Sequence, residues 1–424
     1  MSRRDEAGPF PIPGLPRISR LGRYDALAVQ PPEPATVVVF KRGPRVMAKW
    51  GATSELITKS DRLNDVLNEV LEQIGTYGWA NIYIKRGTYL VDEPIRIAQP
   101  AITFWGSGPK STVLRLADGA NCNMFEFTGT ETIFFVCFRY LSLYGNKENN
   151  TSGNGIYAPL RDSAFMSDVH VEYCYILEFP EDGLYIGNPW GWRLDHCVIE
   201  FNGGAGVHVP AGEDFRVIGC KINRNGVGLK LGTNGANIIG NHIRGNVGYG
   251  LHLYYANKYN IIVGNRFFKN SEGDPGAYDD LRIRINGLRN VIVGNTFTGG
   301  DIANYGVNIA DASCENNVIV ANSFNDYVTA PINDLGTNTY VRGNMGVPDE
   351  ASGEAVFSGD GVTTTFTIPH GLFRTPAHAN VMPASADAAG DFYIAVDDTN
   401  ITVTYLSAPP SGTDNVKLKW RAVA

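Results

Sequence analysis

The chain has 424 residues, a net charge of −7 and an ordinary 43% of hydrophobic residues. Such a mild charge gives no electrostatic reason to expect nucleic acid or an anionic membrane as partner, and no run of about 18 apolar residues suggests a membrane span. Six cysteines in a chain this long do not make a disulfide scaffold, and 48 glycines point to many turns, hence to an all-β chain of short strands.

Residues 1–45 come first. Pro9, Pro11, Pro13, Pro16, Pro31, Pro32 and Pro34 crowd a stretch with little periodicity, which predicts an extended arm and not a domain. Such an arm is either a disordered tail or an attachment segment that orders on a partner. Its basic start, MSRRDEAGPFPIPGLP, is followed by no apolar core, so no secretion signal is expected. Residues 46–78 follow as a capping segment. Leu63, Val66, Leu67, Val70, Leu71 and Ile74 recur at helical spacing and predict an amphipathic helix over about 60–75, with Ser60 as N-cap and Gly75 as its stop.

From about residue 79 to 346 the chain repeats. Cys174, Cys197 and Cys220 are each followed by a short apolar strand, and Asn241, Asn265, Asn295, Asn322 and Asn344 continue the series. The successive spacings are 23, 23, 21, 24, 30, 27 and 22 residues. A unit of this size cannot bury its own apolar face, but stacked copies can, and the solution is a right-handed parallel β-helix. Equivalent residues then lie about 4.8 Å apart, so the Asn side chains can hydrogen-bond along the axis, and the cysteines are rungs of the same ladder. A relaxed disulfide or a tetrahedral metal site does not suit identical rungs in register. After the repeat, residues 353–424 alternate in strand fashion between turn clusters and predict a small antiparallel β-sandwich.

Two segments carry a family resemblance. The helix followed by ANIYIKRGTYLVDEPIRI resembles the N-terminal end of pectate-lyase-like β-helix proteins and phage tailspikes, where a short helix covers the open end of the stack. The stretches GDGVTTTFTIPHGL and DDTNITVTY resemble a C-terminal module of phage tail fibres. The resemblance implies a virion tail spike or fibre, a homotrimer that binds cell-surface polysaccharide and in some relatives cleaves it. It also implies that residues 1–45 dock on other tail or baseplate proteins, that the location is virion or extracellular, and that release by lysis needs no secretion signal.

Stacking turns the repeat into a map of the outside. On the second strand of each unit Tyr185, His208, Lys230, His252, Arg282 or Arg284, and Asn308 point outward and predict an axial stripe suited to an anionic glycan. The same positions are equally those of an ordinary solvated surface. On another face Glu172 and Asp195, two residues before the ladder slot, should be stacked neighbours, and His170, Arg193 and Arg216 lie four residues before that slot. Paired acids suit a glycosidase, but acids alternating with bases also make a plain charge ladder. A lyase on the stripe would instead use cations to neutralise a uronate and a His or Tyr as base. Glu272, Asp274, Asp279 and Asp280 in the longest insertion could bind a divalent cation, but match no EF-hand spacing, so no cofactor is indicated. DDLRIRI resembles fragments of polygalacturonases, but the glycine-histidine-glycine element is missing, so that activity does not carry over.

Overall fold

A computed structural model describes residues 35–76, 78–129, 131–159, 166–255 and 257–424. Three parallel sheets wind around one apolar core, and the second sheet, with 10 strands, counts the coils. One coil shows the plan. Arg216–Ile218 lies in the first sheet, Lys221–Asn223 in the second and Val227–Asn234 in the third. Each strand pairs in register with its counterpart one coil on, as Arg216 with Asn237 and Lys221 with His242. Apolar residues alternate inward: Val217, Ile222, Leu229 and Leu231 are buried in this coil. Phe267, Phe297 and Phe324 stack inside the core with ring centroids 4.7 and 4.9 Å apart, the spacing the strands impose.

The expected ladder stands at the corner between the first and second sheets. Asn265 Nδ2 donates to Asn295 Oδ1 at 3.0 Å, and Asn241, Asn295 and Asn322 repeat the bond to the next rung. Cys174, Cys197 and Cys220 occupy the same column, buried and unpaired, and burial pushes the Cys174 and Cys197 thiols well above their ordinary range. Two further ladders flank it. Asn202, Asn225, Asn246 and Asn270 run along the next corner, and Asn260, Asn290 and Asn317 along the third.

The residue before each rung turns the corner in the left-handed region. Gly240, Gly264, Gly294 and Gly343 hold φ of 63, 64, 63 and 59°. Tyr140, Tyr173 and His196 hold it too, and their stacked rings, 5.4 and 5.2 Å apart, offset the strain. Ala321, at φ 53° and exposed, has no such compensation. Ala321→Gly is therefore expected to stabilise the protein by about 0.5–1 kcal/mol, the relieved strain less the extra freedom of the unfolded glycine. A urea midpoint that fails to rise would contradict this.

The N-terminal end is closed by helix Leu63–Ile74, whose Leu63, Val66, Leu67, Val70 and Leu71 are buried. It also satisfies the open end of the stack: Asn68 Oδ1 accepts the backbone N–H of Arg96, on the first strand of the third sheet, at 2.8 Å, and Asn64 Oδ1 that of Asp92, just past the second-sheet strand Gly87–Val91, at 3.1 Å. Ser60 is not the N-cap. That position is Arg62, without a side-chain cap, while Ser60 Oγ accepts the Arg62 N–H at 3.3 Å in a local turn before the helix. Gly75, at φ 74°, ends the helix as expected. Of the arm expected over residues 1–45, residues 1–34 lie outside the described residues. Val37–Arg42 is already a strand, hairpin-paired to Arg45–Trp50 and added in parallel to the first sheet, because Val37 and Val39 bury against the core.

The C-terminal residues form two three-stranded antiparallel sheets around one small core that includes Phe366, Ile401, Val403 and Leu418. Phe373 packs on the core of the stack, and its N–H donates to Pro348 O at 3.2 Å.

Candidate functional site: an axial stripe on the third sheet

The third sheet brings the predicted outward residues into one column. Tyr157 pairs with Tyr185, Tyr185 with His208, His208 with Lys230, Lys230 with His252, His252 with Arg282, and Arg282 with Asn308. Asn333 extends it by one more coil, its Nδ2 donating to Asn308 Oδ1 at 2.9 Å. Arg282, not Arg284, takes the slot, because Leu281 and Ile283 on either side point into the core.

Neighbouring residues set the chemistry of the column. His208 Nδ1 lies 3.0 Å from Asp182 Oδ2, and Asp182 Oδ1 accepts the Ala205 N–H at 2.6 Å, so the ring is held by an anchored carboxylate. Tyr185 meets His208 edge-on at 5.1 Å between ring centroids. Lys230 Nζ sits over the Tyr254 ring at 5.2 Å, a cation–π contact. Arg282 lies over Tyr249 at 5.6 Å and donates to its hydroxyl at 3.2 Å. His252 is not one of the cations: burial, then Arg282, Arg284 and Lys230, lower its pKa to about 4. The positive charge of the stripe therefore comes from Lys230 and Arg282.

Asp279 lies beneath this end of the column, fully buried. Asn308 Nδ2 donates to its Oδ2 at 2.9 Å and Arg282 approaches at 3.5 Å, while Oδ1 has no partner among the described residues. Burial raises its carboxyl to about 6. Asp280 is also buried, bonded by Asn270 and Tyr327. Glu272 and Asp274 stay exposed, so the four acids of the insertion are split between core and solvent, and among the described residues no three His, Cys, Asp or Glu side chains converge as for a metal.

Glu172 and Asp195 are neighbours on the first sheet, as the spacing predicts. Each already has a cation beside it: Glu172 pairs with Arg139 at 3.1 Å and Asp195 with Arg193, while His170 Nδ1 lies 3.5 Å from Glu172 and His196 Nδ1 2.8 Å from Asp195. Arg216 follows Arg193 in register. The pair thus stands in a charge ladder, on a different sheet from the stripe.

Sequence reasoning missed Asp182, Tyr249, Tyr254 and the buried setting of Asp279. Tyr254 was findable, since it continues the in–out alternation of Leu251, His252 and Leu253. Asp182 was not, since it reaches His208 from a turn one coil earlier.

The profile described as the right handed beta helix region matches residues 131–278 and 182–345, together just over half of the chain. The chain belongs to the right-handed β-helix family. No curated protein matches the sequence. Solved structures share this β-helix at low identity. DFA-IIIase from Arthrobacter chlorophenolicus A6 without its lid is 14% identical over 66% of this chain and 90% of its own, with a TM-score of 0.50. The A-module of the mannuronan C-5 epimerase AlgE4 of Azotobacter vinelandii is 16% identical over 67% and 96%, TM-score 0.47. The tailspike gp49 of Acinetobacter baumannii bacteriophage Fri1, a capsular polysaccharide depolymerase, is 10% identical over 86% and 83%, TM-score 0.41. At such identities the likeness is one of fold. Among the described residues of this β-helix no helix is long and apolar enough to cross a membrane.

Proposed function

We propose that the chain is a virion tail spike or fibre protein that binds host cell-surface polysaccharide along the third-sheet stripe. The observation that carries the reading is the unbroken column from Tyr157 to Asn333, in register over consecutive coils. Asn308 is buried, so at a rung spacing of ~4.8 Å the accessible part from Tyr157 to Arg282 runs roughly 24 Å, long enough for several sugar residues of an extended chain. Tyr157 and Tyr185, their rings stacked 5.3 Å apart, offer aromatic edges and hydroxyls, and Lys230 and Arg282 offer charge to carboxylates or sulfates. The tail role rests on the sequence resemblance of the capped N-terminal end and the C-terminal module. The same resemblance carries the expected homotrimer and the docking of residues 1–45 on tail or baseplate proteins.

The test is binding to an acidic polysaccharide from a host envelope. Lys230→Ala and Arg282→Ala are each expected to weaken it about 10-fold, from the loss of a charge-assisted contact, and added salt should weaken it further. A lysine far from the column, Lys417→Ala, should leave it unchanged. Unaltered binding in both stripe variants would refute the reading.

One arrangement favours a second reading, a polysaccharide depolymerase. His208, anchored by Asp182 and flanked by Tyr185 and Lys230, has the parts of a base beside a cation. Glycan shortening lost in Asp182→Asn would establish it, and new ultraviolet-absorbing unsaturated ends would mark a lyase over a hydrolase. Glu172 and Asp195 remain the hydrolase candidates, although their ion pairs suit a structural ladder better.

A further inference from the structure

Beside the stripe the third sheet widens. Most of its strands have three to five residues, but Ala205–Glu213 has 9 and Val227–Asn234 has 8. The extension slips register between Val209 and Gly212 and pairs at its end with Pro189–Trp190, Trp190 opposite Glu213. Only glycine fits the tight places: a Cβ on Gly212 would stand 2.6 Å from Pro189 Cδ, and one on Gly232 2.4 Å from Pro210 O. The result is a cleft of about 570 Å3, in the range of small-ligand sites.

The walls of the cleft differ in chemistry from the stripe. Trp190 and Tyr255, 52% and 61% exposed, face it with large aromatic surfaces, and Pro189, Pro210 and Ala211 add apolar area. Its polar groups are Asn188, Glu213 and Asn234, and Asn234 Oδ1 has no hydrogen-bond partner among the described residues. Among the described residues none that lines it is Lys, Arg or His. The cleft nevertheless adjoins the cationic part of the column. Pro210 lies two residues beyond His208, Gly232 two beyond Lys230, and Tyr255 follows Tyr254, the ring under the Lys230 ammonium.

We infer that this cleft is a subsite for a neutral side-branch sugar with an apolar face, a 6-deoxyhexose or an N-acetylhexosamine. It would receive a branch from a polysaccharide whose anionic backbone lies along the stripe, so the inference rests on the binding reading above and extends it to branched acidic glycans. The two regions sort the sugars by charge. Lys230 and Arg282 attract the acidic backbone, while Glu213, with no cation among the described residues that line the cleft, disfavours a uronate there. Aromatic side chains stack on the C–H face of a sugar ring, and a hydroxyl or acetamido N–H can supply the donor that Asn234 Oδ1 lacks.

The test uses simple probes on the full chain: methyl α-L-rhamnopyranoside, methyl N-acetyl-β-D-glucosaminide and methyl β-D-glucuronide. Binding is read by tryptophan emission and by saturation-transfer NMR. At least one neutral probe is expected to bind in the millimolar range and the glucuronide not to bind. Trp190→Ala and Tyr255→Ala should each weaken the neutral probe at least 10-fold, with far-ultraviolet circular dichroism checking that each variant keeps the fold. The inference is overturned if neither neutral probe binds, if the glucuronide binds as well as they do, or if both variants bind like the parent. Lys230→Ala should leave probe binding intact while weakening an unbranched acidic polymer. A failure of the stripe thus appears in the polymer and a failure of the subsite in the monosaccharides.

Discussion

Asn265→Ala is expected to destabilise the β-helix by about 3–5 kcal/mol, from orphaned backbone groups plus a small cavity. Asn265 is 1% exposed and its side chain makes four bonds. Its Nδ2 donates to Ile238 O at 2.7 Å and to Asn295 Oδ1 at 3.0 Å, and its Oδ1 accepts the Asn241 N–H at 2.9 Å and Asn241 Nδ2 at 3.0 Å. Alanine strands the Asn241 N–H and the Ile238 carbonyl inside the corner. Asn241 Nδ2 keeps its bond to Val217 O, so the loss is confined to one corner of one coil. The cysteine rungs supply an internal comparison. There the Cys197 N–H meets only Cys220 Sγ, at 3.4 Å, and the Cys197 thiol donates to Val171 O at 3.2 Å. Asn265→Cys should therefore cost less than Asn265→Ala. Chemical denaturation checks the total, and amide exchange at Asn241 checks the site, with acceleration of ~100-fold or more expected at this cost. An alanine variant within about 1 kcal/mol of the parent would show that the corner closes without its amide.

The same ladder shows what a sequence can reveal about such a fold. The column from Cys174 to Asn344 was legible because every rung keeps the same offset from a short apolar strand. The stripe was legible because side chains alternate across a strand, so Tyr185, His208, Lys230, His252, Arg282 and Asn308 had to align once the register was known. The flanking ladders keep equally fixed offsets, five residues either side of the first, as Asn260 and Asn270 do about Asn265, and were available to the same reasoning. Turn geometry was not available. Nothing in the repeat says that Asp182 reaches into the next coil, or that Ser60 falls short of the helix it was expected to cap. The insertion misled for a different reason. An acidic loop segment reads as solvated, but Asn270 lacks an amide rung ahead of it, the equivalent residue being Gly300, so Asp280 turns inward and accepts its Nδ2 at 2.6 Å.

That inward turn gives the protein an unusual dependence on pH. Burial raises Asp280 to about 7 and Asp279 to about 6, whereas both should titrate near ~4 in the unfolded chain. Hydrogen bonds from Asn270 and Tyr327 to Asp280, and from Asn308 to Asp279 with the Arg282 guanidinium beside it, oppose the rise without cancelling it, and the two acids raise each other's cost of ionisation. Between about pH 4 and pH 7 the folded protein therefore holds protons that the unfolded chain has lost, so this pair's contribution to stability is full below that window and falls as pH rises through it. Asp280 alone should account for about 3–4 kcal/mol. Asp280→Asn keeps the size and one acceptor but has no proton to lose. It is expected to match the parent within about 1 kcal/mol at pH 4 and to exceed it by about 2–4 kcal/mol at pH 8, part of the gain being lost where the new amide must find acceptors. The difference between the two proteins, measured by urea denaturation across this range, cancels every other titrating group. A difference that stays constant with pH would mean that Asp280 is ionised throughout and that the corner under Arg282 is wetter than its burial implies.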